Sequence, residues 1–415
     1  MRRAALVAAG LLAGGVLGAV VMLVVQSASS TEETTAPTSS PTVVTSPTTS
    51  SVPGTTRTTP ASDAATSTPP GDQVLLVWTP SGLPPGFSGR VAELEGVSAV
   101  TAVHGDLIHL TGSTGSDGEQ IDMAPDGFAI PMELSAFEPA TYTAFVPQQD
   151  STTFSNLGPG QVILGSTSAD LRRLGPGGTL TLEDGSTLAV AAVVPDVLIG
   201  AAEAAVVASE ADRLDVDVER YLLIRYSGAR TDIESSIRAE LPEGLAVRIR
   251  APGETPVLRQ GDAVLPQVLI KDRFGEFAYR PDTDATFVIE PGWVDAYIVT
   301  TSVPILGEVS CHRNLLPALS GAMEELEQRN LDSLVDPDGF QGCFNPRYIG
   351  SGRGISRHAW GAAVDINIGT NPGGLESAQD PRLVEVMERW GFTSGHEWLI
   401  PDPGHFEYVQ PPSPG

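Results

Sequence analysis

Three of the six histidines in this 415-residue chain, His358, His396 and His405, lie beyond residue 355. Two of them stand in runs that also carry carboxylates: SRHAWGAAVDIN at 356–367 and PDPGHFEY at 401–408. His358, Asp365 and His405 are the residue types that ligate zinc through imidazole nitrogen and carboxylate oxygen, and a catalytic zinc takes three protein ligands and keeps a fourth position open. Zinc lowers the pKa of water from about 15.7 toward about 7. A carboxylate beside that water can take its proton and pass it to a leaving amine. Asp402, three residues before His405, is the candidate for that role.

Taken singly, each residue has an ordinary reading. A lone histidine on a strand is usually a core or surface residue. Asp402 between two prolines suits a turn, and Asp365 could cap a helix or pair with Arg357. Together these readings must also account for H-x6-D followed by D-x2-H in one segment.

The surrounding sequence has to bring those side chains together. AAVDINI reads as a strand, which puts Ala363, Asp365 and Asn367 on one face and Val364, Ile366 and Ile368 on the core face. Gly361 lets the chain turn tightly between His358 and that strand. DPRLVEVMERW (380–390) reads as a helix, Pro401–Gly404 as a turn, and HFEYV as a second strand with His405 at its mouth. Glu407 shares a strand face with His405 and reads as support for it or as a rival base. His396 and Glu397 could rim a cleft, but HEW lacks the second histidine of an H-E-x-x-H helix.

The whole chain divides by composition. Residues 4–25 are uncharged and mostly apolar, follow Arg2 and Arg3, and precede no cation until Arg57. Helical, they would span about 33 Å, enough to cross a bilayer core with residues 1–3 in the cytoplasm and everything after them outside. The competing reading is a cleaved signal peptide. Residues 26–72, rich in Ser, Thr and Pro, cannot bury enough surface to fold and read as a disordered tether. From 73 to 255, β-branched runs bounded by Gly, Pro and Asp, two short helices (167–175 and 231–241) and a DG hairpin describe an α+β domain. His104 and His109 flank a Gly-Asp turn there and read as ordinary strand or loop histidines. A further domain, 262–412, contains an amphipathic helix at 312–329 with Cys311 at its start and Cys343 after it. These are the only two cysteines. In an exported domain, 32 positions apart, they most simply form a disulfide worth about 3–4 kcal/mol; a thiolate metal pair or a nucleophile is the alternative. A net charge of −27 without clustered cations excludes a nucleic-acid partner.

SRHAWGAAVDIN with DPGHFEY resembles the M15 peptidases, which trim bacterial cell walls as D-alanyl-D-alanine carboxypeptidases or L-alanyl-D-glutamate endopeptidases. Ser356, His358, Gly361, Ala363 and Asp365 match the family pattern S-x-H-x2-G-x-A-x-D. The resemblance implies an α+β fold with a small antiparallel sheet, one Zn2+ on His358, Asp365 and His405, Asp402 as base, Ser356 at the substrate, and an arginine on the substrate carboxylate. Arg347 is our choice for that arginine, with Arg353 and Arg357 as rivals and a plain surface role as the alternative. Many carboxypeptidase members have Glu as base and Trp before the second histidine. This chain has Asp402 and Gly404, closer to the endopeptidases, which leaves the bond cleaved open. Residues 162–196 also resemble extracytoplasmic domains of permeases related to the macrolide exporter, which implies an interaction module with a membrane-protein partner. The expectation is a zinc peptidase acting on peptidoglycan stem peptides outside the membrane. The alternative is a cell-wall scaffold with a vestigial site.

Overall fold

A computed structural model describes residues 73–252, 265–350 and 354–410. The expected spanning segment 4–25, the tether 26–72 and the expected domain boundary lie outside these residues. Among the described residues no helix is long and apolar enough to cross a membrane.

The β-branched runs of the N-terminal half form strands, several of them buried on both faces. Strands β1 (Gln73–Trp78), β2 (Val97–Thr114), β3 (Gln120–Met123), β4 (Ile130–Phe137), β5 (Gln161–Gly165), β6 (Thr179–Leu182), β7 (Thr187–Val194), β8 (Ala204–Val207), β9 (Glu219–Tyr226) and β10 (Arg248–Arg250) form one sheet. Their order is β10-β1-β9-β2-β4-β8-β5-β7-β6, with β3 on β2. β2 also pairs with β6, which closes β2-β4-β8-β5-β7-β6 into a ring. Met132 and Leu134, Val162 and Leu164, Leu180 and Leu182, and Leu188 and Val190 alternate along four of these strands into one buried cluster. Each such side chain stabilises by about 1.5–3 kcal/mol on burial.

One expectation changes here. The Gly-Asp pair between His104 and His109 is not a turn. β2 runs through it for 18 residues, since pairing with β9 on one side and β4 on the other outweighs the local turn preference of Gly105–Asp106. His109 Nε2 lies 2.6 Å from the Tyr279 hydroxyl, a hydrogen bond to the C-terminal half.

That half carries β11 (Tyr279–Pro281) paired with β12 (Phe287–Ile289), and β13 (Ile298–Val303) paired with β14 (Gly307–His312). A third sheet, β15-β17-β16, is antiparallel and comprises β15 (Ala363–Asp365), β16 (Phe392–Gly395) and β17 (Asp402–Tyr408). Helix Leu316–Gln328 buries Leu316, Leu319, Met323 and Leu326 at helical spacing, and helix Pro381–Arg389 buries Leu383, Val386 and Met387 beside it. The first of these starts later than the 312 expected from periodicity, with Pro317 in its first turn, where a missing N–H costs nothing. Cys311 therefore belongs to β14, before the helix, and is bonded to Cys343.

The halves share their interiors. Leu107 of β2 belongs to the core of the C-terminal half, and Ala278 to that of the ring. The backbones of Ala129 and Tyr279 bridge.

Candidate metal centre

His358 sits on one turn of 3-10 helix, Arg357–Trp360. Ser356 opens the turn, its hydroxyl accepting from the His358 N–H at 3.4 Å. Gly361 ends the turn at φ 62°, and a Cβ there would meet the His312 nitrogen at 2.7 Å, so only glycine fits. Trp360, fully buried against Phe277, anchors the turn in the core. His358 Nδ1 faces two carbonyls, Gly342 at 3.1 Å and Cys343 at 3.2 Å. Nδ1 therefore carries the hydrogen, and the Nε2 lone pair points away from them. Because Cys343 is disulfide-bonded, the cross-link holds the segment that orients this ring.

Asp365 and His405 are directly opposite in the β15–β17 ladder. Cross-strand partners share a face, so the two side chains meet. The adjacent pair, Val364 and Phe406, lies on the other face, fully buried. The expected alternation thus holds through Ile366 but fails at Asn367. There φ is 57° and the strand has ended. The Asn367 amide turns to Asp336, Leu334 and Gln379 rather than to the Asp365 side.

Three donor atoms converge. His358 Nε2 is 3.2 Å from Asp365 Oδ1 and 3.2 Å from His405 Nδ1, and His405 Nδ1 is 2.8 Å from Asp365 Oδ1. His358, Asp365 and His405 form a group whose ligand atoms lie within 4.8 Å of one another. Around tetrahedral zinc with bonds of about 2.0–2.1 Å, neighbouring ligands stand about 3.3 Å apart, close to these separations. Two nitrogens and one carboxylate oxygen, with one imidazole already committed by its other nitrogen, fit zinc.

The electrostatics agree with a cation site. Burial pushes the Asp365 carboxyl up, but the adjacent imidazoles of His358 and His405 outweigh it and hold the group well below the usual carboxylate range. Burial lowers His405, yet Asp365 and Glu407 carry it up to about 9. A metal ion held here would require His405 to give up its proton.

Asp402 stands nearby. Burial raises its carboxyl, partly offset by the charge of His405, with Asp365, Arg347 and His358 also acting on it. It opens β17 rather than lying in a preceding turn, so His405 is inside the strand and not at its mouth. The ladder is irregular here, with Gly395 facing Asp402 while Ser394 faces Phe406. Gly404 follows from this bend: a Cβ would meet the Asn371 carbonyl at 3.0 Å and the Ile366 carbonyl at 3.4 Å.

Among the arginines, Arg347 is half-exposed and its Nη2 lies 3.9 Å from Asp365 Oδ2. Arg357 faces inward instead, to the Leu265 carbonyl at 2.9 Å. Arg353 lies outside the described residues. Ser356 is buried, with its hydroxyl committed to the His358 turn. His396 pairs with its neighbour Glu397 at 3.8 Å.

One contributor escapes sequence reasoning, and one expected contributor gains an unexpected partner. The Trp398 ring lies 5.2 Å from that of His405 and covers it; no spacing rule links the two. Glu407 Oε1 stands 3.7 Å behind His405 Nε2 and 4.0 Å from Arg357 Nε. Strand alternation signals the Glu407–His405 contact, but nothing local signals the arginine.

Part of the chain is loosely similar to two solved structures. One is the periplasmic region of MacB from Actinobacillus actinomycetemcomitans, with 12% identity and TM-score 0.30 over 43% of this chain and 88% of that one. The other is the extracellular domain of the noncanonic ABC-type transporter YknZ from Gram-positive bacteria, with 11% identity and TM-score 0.28 over 43% and 98%. Likenesses this loose carry no functional argument. No curated protein matches the chain. A family model described as D-alanyl-D-alanine carboxypeptidase, within the M15 peptidases, matches residues 349–408, the segment that holds His358, Asp365, Asp402 and His405.

Proposed function

We propose that this chain is a zinc-dependent peptidase that hydrolyses peptidoglycan stem peptides outside the membrane, anchored through residues 4–25. The observation that carries the reading is the convergence of His358 Nε2, Asp365 Oδ1 and His405 Nδ1 inside the segment matched by a carboxypeptidase family model. The buried Cys311–Cys343 disulfide supports an oxidising compartment.

A zinc ion held by these three residues would supply Lewis acidity and lower the pKa of a nearby water. The chain's own groups do the rest. Asp402, beside the ligand set, takes a proton from the attacking water and delivers it to the leaving amine. Burial, which raises its carboxyl, makes it the stronger base for that transfer. Arg347, half-exposed and directed at the Asp365 side, offers a fork to a peptide carboxylate and orients the scissile bond. Trp398 covers the His405 ring and limits water there.

The test is metal content and product identity. The purified full-length chain is expected to carry one zinc and to release D-Ala, or to cut after L-Ala, from defined muropeptides analysed by mass. Asp402→Asn is expected to keep its zinc and lose about 10²- to 10⁴-fold in kcat. A parent chain that binds peptidoglycan without releasing product, or an Asp402→Asn enzyme with intact activity, would defeat the reading.

A further inference from the structure

The His405 side of the site does not end at His405. Glu407 is almost wholly buried, with Oε1 3.7 Å from His405 Nε2. A carboxylate there orients the imidazole and fixes which nitrogen is free for a ligand. A buried carboxylate needs a cation in turn, and Arg357 is that cation, its Nε 4.0 Å from Glu407 Oε1 and its side chain only 11% exposed.

Arg357 is itself held at the junction of the two halves. Its Nη2 donates to the carbonyl of Leu265, 2.9 Å away, just before helix Gln267–Phe274. On the N-terminal side its guanidinium is the strongest of the charges that offset the burial of Glu133 on β4. The Glu133 N–H donates to Glu203 Oε1 at 3.1 Å. Glu203 is fully buried and also takes Gln267 Nε2 at 3.0 Å, Lys271 Nζ at 2.8 Å and Arg172 Nη2 at 3.1 Å. Glu276 accepts from both Lys271 and Arg172. Arg172 and Glu203 from the N-terminal half and Lys271 and Glu276 from the C-terminal half thus form one contiguous charge cluster, and Leu265, which accepts from Arg357, lies two residues before Gln267, whose side chain joins that cluster.

We propose that Arg357 is a positioning residue for the metal centre: it holds Glu407 behind His405 and takes its own anchorage from the buried charges at the junction. The N-terminal half is then a working part of the metal site rather than a detachable module. Arginine suits this place because its fork serves two directions at once, which a lysine ammonium on a flexible stem cannot do. The inference rests on the reading of His358, Asp365 and His405 as a zinc site.

The test uses the full chain and reads zinc affinity by chelator competition, with the melting temperature of the metal-free protein in parallel. Arg357→Gln is expected to raise the zinc Kd about 10- to 100-fold, with Arg357→Lys between it and the parent and Glu133→Gln showing a smaller rise in the same direction. Cobalt substitution gives a second readout: the visible band of the Arg357 variants shifts as His405 loses its fixed orientation. Arg382→Gln, an exposed partner of Asp380, is the control and keeps parental affinity. Should Arg357→Gln fail to fold, Arg357→Lys and Glu133→Gln carry the test. Variants that melt lower yet bind zinc within a factor of about 2 of the parent would reduce Arg357 to a structural residue and overturn the proposal. A parent chain that binds no zinc would instead overturn the peptidase reading itself.

Discussion

Replacing Cys311 and Cys343 with alanine tests how the site is built as well as how stable the chain is. The cross-link spans 32 positions. On the chain-entropy model, opening a loop of that length frees about 12 cal/mol/K in the unfolded ensemble, or about 3.7 kcal/mol at 25 °C. Both sulfurs are fully buried, so each alanine adds a small void whose cost is well below that of the cross-link. Either single variant opens the loop as completely as the double. The three variants are therefore expected to lose similar amounts, about 3–5 kcal/mol each, read from urea midpoints with a shared m-value. The same variants should also bind zinc more weakly, because the Gly342 and Cys343 carbonyls that take the His358 Nδ1 hydrogen lose their tether. Single-variant losses that simply add up in the double, or a loss under about 1 kcal/mol, would refute the loop argument. Unchanged zinc affinity would refute the link from disulfide to ligand.

Two further outcomes follow from named groups. His312 is fully buried, its Nδ1 accepting from the Asn314 N–H and its Nε2 lying 3.1 Å from the Phe274 carbonyl. Burial holds it down to about 4, so between its ordinary value of about 6.5 and about 4 the unfolded chain binds a proton that the folded chain refuses. Stability present above pH 6.5 is lost as pH falls through that window, by up to about 3 kcal/mol, and levels off below it; His312→Gln should flatten that part of a urea-midpoint-against-pH curve, and an unchanged slope would exclude His312 as its source. Arg347→Gln should raise KM for a stem peptide with a free carboxylate about 10- to 100-fold, the worth of a charge-assisted hydrogen bond, with a smaller change in kcat; equal KM for parent and variant would remove Arg347 from the substrate.

What the sequence made legible divides by the range of the interaction. The zinc-ligand candidates could be named because residue type alone restricts the chemistry, and the strand alternation that pairs Asp365 with His405 is a local rule. The disulfide could be named because only two cysteines exist. Boundaries were less legible where a tertiary contact overrides a local signal. Gly105–Asp106 has turn composition, yet ladders on both sides keep β2 extended. Pro401–Gly404 has turn composition too, yet Asp402 already pairs with Gly395. Gly404 shows the same logic in reverse. Against the family pattern it looked like a departure bearing on which bond is cut, whereas the Asn371 and Ile366 carbonyls pressed against it give a packing reason for glycine. Arg357 was the hardest to place, because its partners, Leu265 and Glu407, come from two separate stretches of chain. Read locally it was a rival for the substrate carboxylate, since it lies one residue before a ligand. Only the packing of the two halves shows that it points the other way, with its Nη2 on the Leu265 carbonyl, while Arg347 stays half-exposed beside Asp365.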